Sequence, residues 1–284
     1  MKESFGVGQK LMSKLDPKGL AHTLVISDGL IVNGTELVKG LISKLPKNVA
    51  LTGGLAGDGL HYKETLVGLD AMPKKHTIAL IGFYGKKLKV GYGSMGGFDS
   101  FGPERLITSS KGNVLYTLDN KLALKIYKEY LGDQAKGLPA SGLFFPLCIR
   151  SGAGKNDIVR TIASVNEKEQ SLTFAGDVPE GFFAHLMRAN FDHLIGGSAA
   201  AAALAHASLG SKKPDFALLV SCIGRKLILK QRIDEEIEVV QEKLGKQVVI
   251  AGFYSYGEIC PFASANMKSE FHNQTMTITT FSEK

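Results

Sequence analysis

Residues 254–258, Tyr254-Ser255-Tyr256-Gly257-Glu258, place two phenols, a hydroxyl and a carboxylate within five positions. Tyrosine offers an apolar wall with a polar tip, and a carboxylate beside it can hold an ammonium or an arginine. Upstream, Ser221-Cys222-Ile223-Gly224-Arg225 closes an apolar run. If the two runs are neighbouring strands, Arg225 comes near Glu258. Arginine grips carboxylates bidentately, so the pair would suit a zwitterion such as an amino acid. The same pair would serve equally as an internal salt bridge that clips two strand ends together. A related loop occurs early in the chain, Thr52-Gly53-Gly54-Leu55-Ala56-Gly57-Asp58, with Asp28 and Asp58 in comparable positions. The residues expected to bind a ligand are therefore Arg225 and Glu258 as charged anchors and Tyr254 and Tyr256 as walls. Cys222 lies beside them, and Gly53, Gly54, Gly57 and Asp58 form the opposing loop.

Other chemistries are weaker. Cys222 with one of the seven histidines could make a nucleophile, and Asp58 is the other enzymatic candidate. Buried cysteines are more often packing residues, and a binding protein without turnover is expected. His185 and His193, eight apart, read as one helix face that could ligate a haem or a metal, or simply as surface residues; no zinc spacing is present. Gly91-Tyr92-Gly93-Ser94-Met95-Gly96 fits GxGxxG, but Gly97 to Pro103 is loop chemistry where a dinucleotide fold needs a helix. Ser151-Gly152-Ala153-Gly154-Lys155-Asn156 lacks the first glycine and the Ser/Thr of a P-loop and reads as an exposed turn.

The elements that must position these groups form a repeat. His22-Thr23-Leu24-Val25-Ile26-Ser27 matches Phe216-Ala217-Leu218-Leu219-Val220-Ser221, each followed by a helical stretch, a second strand and a glycine-rich loop. A third strand follows, near residue 77 in the first copy and near residue 275 in the second. The offset is 194 at the first strand, 199 at the second and 198 at the third. Asn33-x-x-Glu36 caps the first helix, which carries Leu37, Leu41 and Leu45; the second carries Ile233, Ile237, Val240 and Leu244. Between the copies lie a strand at 113–118, a helix stopped by Gly132 and a hairpin around Asn166. Asp177-x-x-Glu180 reads as a cap for a helix bearing Phe183, Met187, Phe191 and Leu194. The expected class is α/β (α+β), two related α/β halves with mixed sheets.

Net charge is +7, from 34 Lys and Arg against 27 Asp and Glu, but the lysines are scattered and nucleic-acid binding is not expected. Three cysteines without a CxxC pair give no disulfide framework. The blandest stretch, residues 198–209, has 12 residues where a bilayer span needs about 20, so no membrane insertion is expected.

These motifs resemble the FIST family (F-box and intracellular signal transduction proteins), with its FIST N and FIST C domains. The resemblance rests on Ser221 to Arg225 and on Gly252-Phe253-Tyr254-Ser255-Tyr256-Gly257-Glu258-Ile259-Cys260-Pro261-Phe262. Thr52 to Asp58 and Phe174-Ala175-Gly176-Asp177-Val178-Pro179-Glu180-Gly181 support it. It implies a FIST N domain at 1–112, short or truncated at its start, and a FIST C domain at 113–284. It also implies a cytoplasmic, bacterial sensory protein for small ligands such as amino acids, acting through a separate output protein such as a histidine kinase or cyclase. One branch of the family resembles haem-based nitric-oxide sensors; no histidine here falls in a motif matching a haem ligand, and no cofactor is expected.

Overall fold

The computed structural model describes residues 3–151, 157–262 and 268–283. The P-loop-like run from Gly152 to Asn156 lies outside the described residues. The first copy of the repeat opens after helix α1 (Ser4–Met12) with β1 (Leu20–Ser27), α2 (Gly34–Ile42), β2 (Ala50–Ala56) and β3 (Ile78–Tyr84). Asn33 caps α2, its side chain accepting the Glu36 amide at 3.0 Å. After β4 (Leu88–Met95) come β5 (Phe98–Lys111), β6 (Val114–Leu118), β7 (Lys121–Leu122), α3 (Ala123–Leu131), β8 (Leu147–Arg150) and β9 (Asp157–Arg160). Then follow β10 (Ile162–Asn166), β11 (Ser171–Phe174), β12 (Phe183–Ala189) and α4 (Phe191–Ser208). The second copy comprises β13 (Phe216–Cys222), α5 (Ile223–Leu229), α6 (Ile233–Leu244), β14 (Val249–Pro261), β15 (Ser269–His272) and β16 (Met276–Glu283).

Both copies enter one sheet, ordered β3-β1-β2-β14-β13-β16-β4, with β15 on β14. The repeat offsets are written in its register. His22↔Ala50 in β1–β2 becomes Phe216↔Val249 in β13–β14, both parallel. Ser27↔Ile78 in β1–β3 becomes Ser221↔Met276 in β13–β16, both antiparallel. The copies meet where β2 pairs antiparallel with β14, Ser255 opposite Ala56 and Glu258 opposite Gly54, with a register shift between Ser255 and Gly257. Glycine is needed at Gly53 and Gly54: a Cβ would fall 1.9 Å from the Val25 carbonyl oxygen in one case and 2.6 Å from Val220 in the other. These two glycines therefore let strands approach within the sheet.

Helices cover one face of this sheet. The α1–α2 layer buries Leu37, Leu41 and Met12 on Val25, Leu51 and Leu55, and the α4–α6 layer buries Ala201, Ala205, Val240 and Leu244 on Ala217, Leu219 and Ile278. Each large aliphatic side chain so buried contributes about 1.5–3 kcal/mol. On the other face the sheet curls until His22 of β1 and Phe281 of β16 are 6.1 Å apart. Thr279 donates there to Thr52 at 2.9 Å, and Thr52 lies 2.8 Å from His22 Nε2.

This sheet belongs to one compact unit, Met1–Gly96 with Leu194–Phe271 and Thr275–Lys284; the other unit is Gly97–His193 with His272–Gln274. The second unit holds a sheet ordered β10-β11-β6-β5-β12-β8-β9, with β7 on β6, around α3 and a core of Leu115, Leu124, Tyr127, Leu172 and Phe174.

One expected helix is a strand. Residues 183–189 form β12, paired with β5 and β8, although Phe183, Met187, Phe191 and Leu194 have helical spacing. Asp177-x-x-Glu180 caps no helix; the Glu180 carboxylate accepts the Ser110 amide at 3.1 Å instead. His185 and His193 thus sit on different elements, His185 on β12 3.3 Å from Ser100 Oγ and His193 on α4 against Asp99. Two sheet neighbours outweigh the local period. The GxGxxG segment is strand β4, whose glycines admit α4 closely.

Candidate functional site

The end of β2 meets the interior of β14 and brings Asp58 beside Tyr256; residues 254–258, expected as a loop, are strand, as are Gly53 and Gly54. Arg225 does not pair with Glu258. Helix α5 starts directly after Cys222 and turns Arg225 into the core, where the residue is fully buried. Its Nε donates to Glu236 of α6 at 3.1 Å, and its terminal nitrogens donate to the Gly96 and Leu194 carbonyls at 2.6 and 2.8 Å and to Ser198 Oγ at 2.7 Å. Glu236, also fully buried, accepts further bonds from Ser221 at 3.1 Å and from the Tyr254 hydroxyl at 3.0 Å. A buried charge must be paired and hydrogen-bonded, and the α6 helix supplies that partner.

Glu258 is fully buried as well. It accepts a hydroxyl from Ser255, and the backbone N–H and hydroxyl of Thr275 at 3.1 and 2.9 Å. Burial pushes its carboxyl up to about 7, against the opposing pull of these bonds. Cys222 is buried at the start of α5, and its N–H donates to the Thr275 carbonyl at 3.0 Å.

At the mouth, Asp58 binds its own loop. Oδ1 accepts the Tyr62 amide at 2.9 Å, and Oδ2 accepts the Lys63 and Glu64 amides at 2.8 and 2.9 Å. The Tyr256 hydroxyl donates to Oδ1 and lies 2.9 Å from the Gly59 carbonyl. These four donors, Tyr256 foremost, hold the Asp58 carboxyl well below the usual carboxylate range, and they fill the roughly four acceptor positions a carboxylate has. Asp28, in the matching place at the end of β1, is filled in the same manner by the amides of Leu30, Ile31 and His76 at 2.8, 3.0 and 3.0 Å.

The Tyr256 ring is closely packed. A Cβ on Gly29 or Gly57 would come within 2.9 or 3.2 Å of it, so both glycines form its floor. Tyr62 stacks on it, with centroids 4.9 Å apart and planes at 10°. Tyr62 itself stays 54% exposed, and its phenol is raised first by burial, then by the neighbouring Cys222 and Asp58. On the next strand position but one, the Tyr254 ring carries the Lys226 ammonium 4.9 Å from its centroid. Tyr62 and Lys226 were missed in the sequence; the signal for Tyr62 is an Asp followed by a turn, a type of residue that hydrogen-bonds nearby backbone amides.

A model of the FIST N domain matches residues 1–121, and one of the FIST C domain matches residues 123–261. The chain belongs to the FIST family. FIST domains are associated with signal transduction and with sensing of small ligands. In the FIST chain the copy-to-copy contact described above joins the two matched domains in one sheet: Asp58 lies in the FIST N match and Tyr256 in the FIST C match. No curated protein matches the chain. A solved structure of cyanuric acid hydrolase from A. caulinodans aligns over 99% of this chain and 95% of its own, with 8% identity and a TM-score of 0.23. No helix among the described residues is long and apolar enough to cross a membrane.

Proposed function

We propose that this FIST protein is a sensory module that binds a small polar ligand where the loop after β2 of the first repeat copy meets β14 of the second, and signals through a separate output protein. The observation that carries this reading is the Tyr256–Asp58 bond with Tyr62 stacked upon it. It ties the second copy to the first at a surface-exposed ring, so a ligand there contacts both. Binding without turnover is supported by the state of the candidate catalytic groups, since the Asp58 acceptors are filled and Cys222 is buried. The zwitterion clamp expected of Arg225 and Glu258 is not part of this reading, because both are turned inward and satisfied. Thermal-shift screening against amino acids and related metabolites tests it: a ligand at one hundred times its dissociation constant adds about 2.7 kcal/mol. Tyr256→Ala should abolish the shift. A ligand whose shift persists in Tyr256→Ala would move the site elsewhere.

A further inference from the structure

The groups that could recognise full charges at this site are already used. Arg225, Glu258 and Asp58 each satisfy internal partners. What the site leaves open is the face of a ring. Tyr62 is a bulky residue in the left-handed region, at φ 50, held there by its amide on Asp58; such backbone conformations persist only when the surroundings impose them. Here they set the phenol parallel to Tyr256, against which Gly29 and Gly57 pack closely. The result is a fixed two-ring platform with one face to solvent. Beside it on β14, Tyr254 lies two positions before Tyr256, and the Lys226 ammonium sits 4.9 Å from the Tyr254 ring centroid. Lys226 is exposed and touches only the Tyr254 ring among the contacts described.

Resting on the sensory reading above, we infer that the ligand is a planar aromatic or heteroaromatic acid, its ring stacked on the outer face of Tyr62 and its anionic group toward Lys226. The carboxylate that accepts from the Tyr254 hydroxyl, Glu236, is already paired with Arg225.

Three probes of similar size separate the two contributions: benzoate is flat and anionic, benzamide flat and neutral, cyclohexanecarboxylate anionic and not flat. Ligand-observed NMR titrations on the full chain should rank benzoate first. Tyr62→Ala should weaken benzoate about tenfold and Tyr62→Phe should restore it. Lys226→Gln should bring benzoate to the level of benzamide. Far-ultraviolet circular dichroism of each variant, unchanged, shows that folding is intact. Cyclohexanecarboxylate binding as well as benzoate, or benzoate indifferent to Tyr62→Ala, would overturn the inference. If an aliphatic amino acid binds and is lost in Tyr256→Ala but not in Tyr62→Ala, the ring falls and the sensory site stands. If neither the probes nor the amino acids bind, both fall.

Discussion

Truncating Arg225 to alanine would strand the Glu236 carboxylate in the core with only hydroxyl donors left, Ser221, Ser198 and Tyr254. The expected loss is about 3–5 kcal/mol in urea unfolding, whereas Arg225→Met with Glu236→Leu should lose far less, because the cost lies in the unpaired charge. Glu258 makes a separate prediction from its pH dependence. Its folded pKa, about 7, lies above the ordinary 4.5. The native state therefore holds the proton more tightly, and this contribution is present below pH 4.5 and lost as pH rises through 7. Stability of the wild type relative to Glu258→Gln should fall by about 3 kcal/mol across that window. His22, lowered to about 3 by burial, works in the opposite sense, its contribution present above pH 6.5 and lost as pH falls. Comparison with Glu258→Gln cancels it. The identities of both buried groups were legible in the sequence; their partners were not. Arg225 follows the end of β13 and Glu258 lies within the neighbouring β14, but a helix beginning at Ile223 swings Arg225 away to α6.

Among elements, the loop between β2 and β3 shows how one side chain organises many. Asp58 holds its start through three amides, and Asp28 holds its end through His76. Between those anchors Leu60, Leu66, Leu69 and Met72 are exposed. Asp58→Ala should leave the melting temperature nearly unchanged while trypsin cuts faster at Lys63, since only the loop loses its ties; equal cleavage rates would show that the loop's other contacts, among them Tyr62 stacking and the Val67–Lys74 pair, retain it. The capped helix α2 and the helix stopped by Gly132 follow local chemistry, and the sequence located both. Strand β12 does not: its side chains fit a helical period, and only pairing with β5 and β8 decides the matter.

For the molecule as a whole, the repeat offsets of 194, 199 and 198 reappear as strand register, and the two copies complete one sheet by pairing β2 with β14. A fragment of residues 1–121, the FIST N match, would leave β2 without β14 and β4 without β16. Unpaired edges of this length favour association. Such a fragment should elute as aggregate and lack a cooperative unfolding transition; a monomer that melts cooperatively would contradict the shared-sheet account. A cut at residue 112 would in addition open the turn between β5 and β6.

The sequence by itself determined the repeat, the mixed α/β class and the family. Each of these depends on local pattern: strand alternation, caps and glycine placement recur at fixed spacing in both copies. Only the tertiary structure decided the direction of the charges. Whether Arg225, Glu258 and Asp58 face a ligand or the protein depends on which donors and acceptors arrive from distant segments, namely Glu236 from α6, Thr275 ahead of β16 and Tyr256 from β14. A buried charge takes the partner that packing supplies, and packing brings residues 227 positions apart into hydrogen-bond contact.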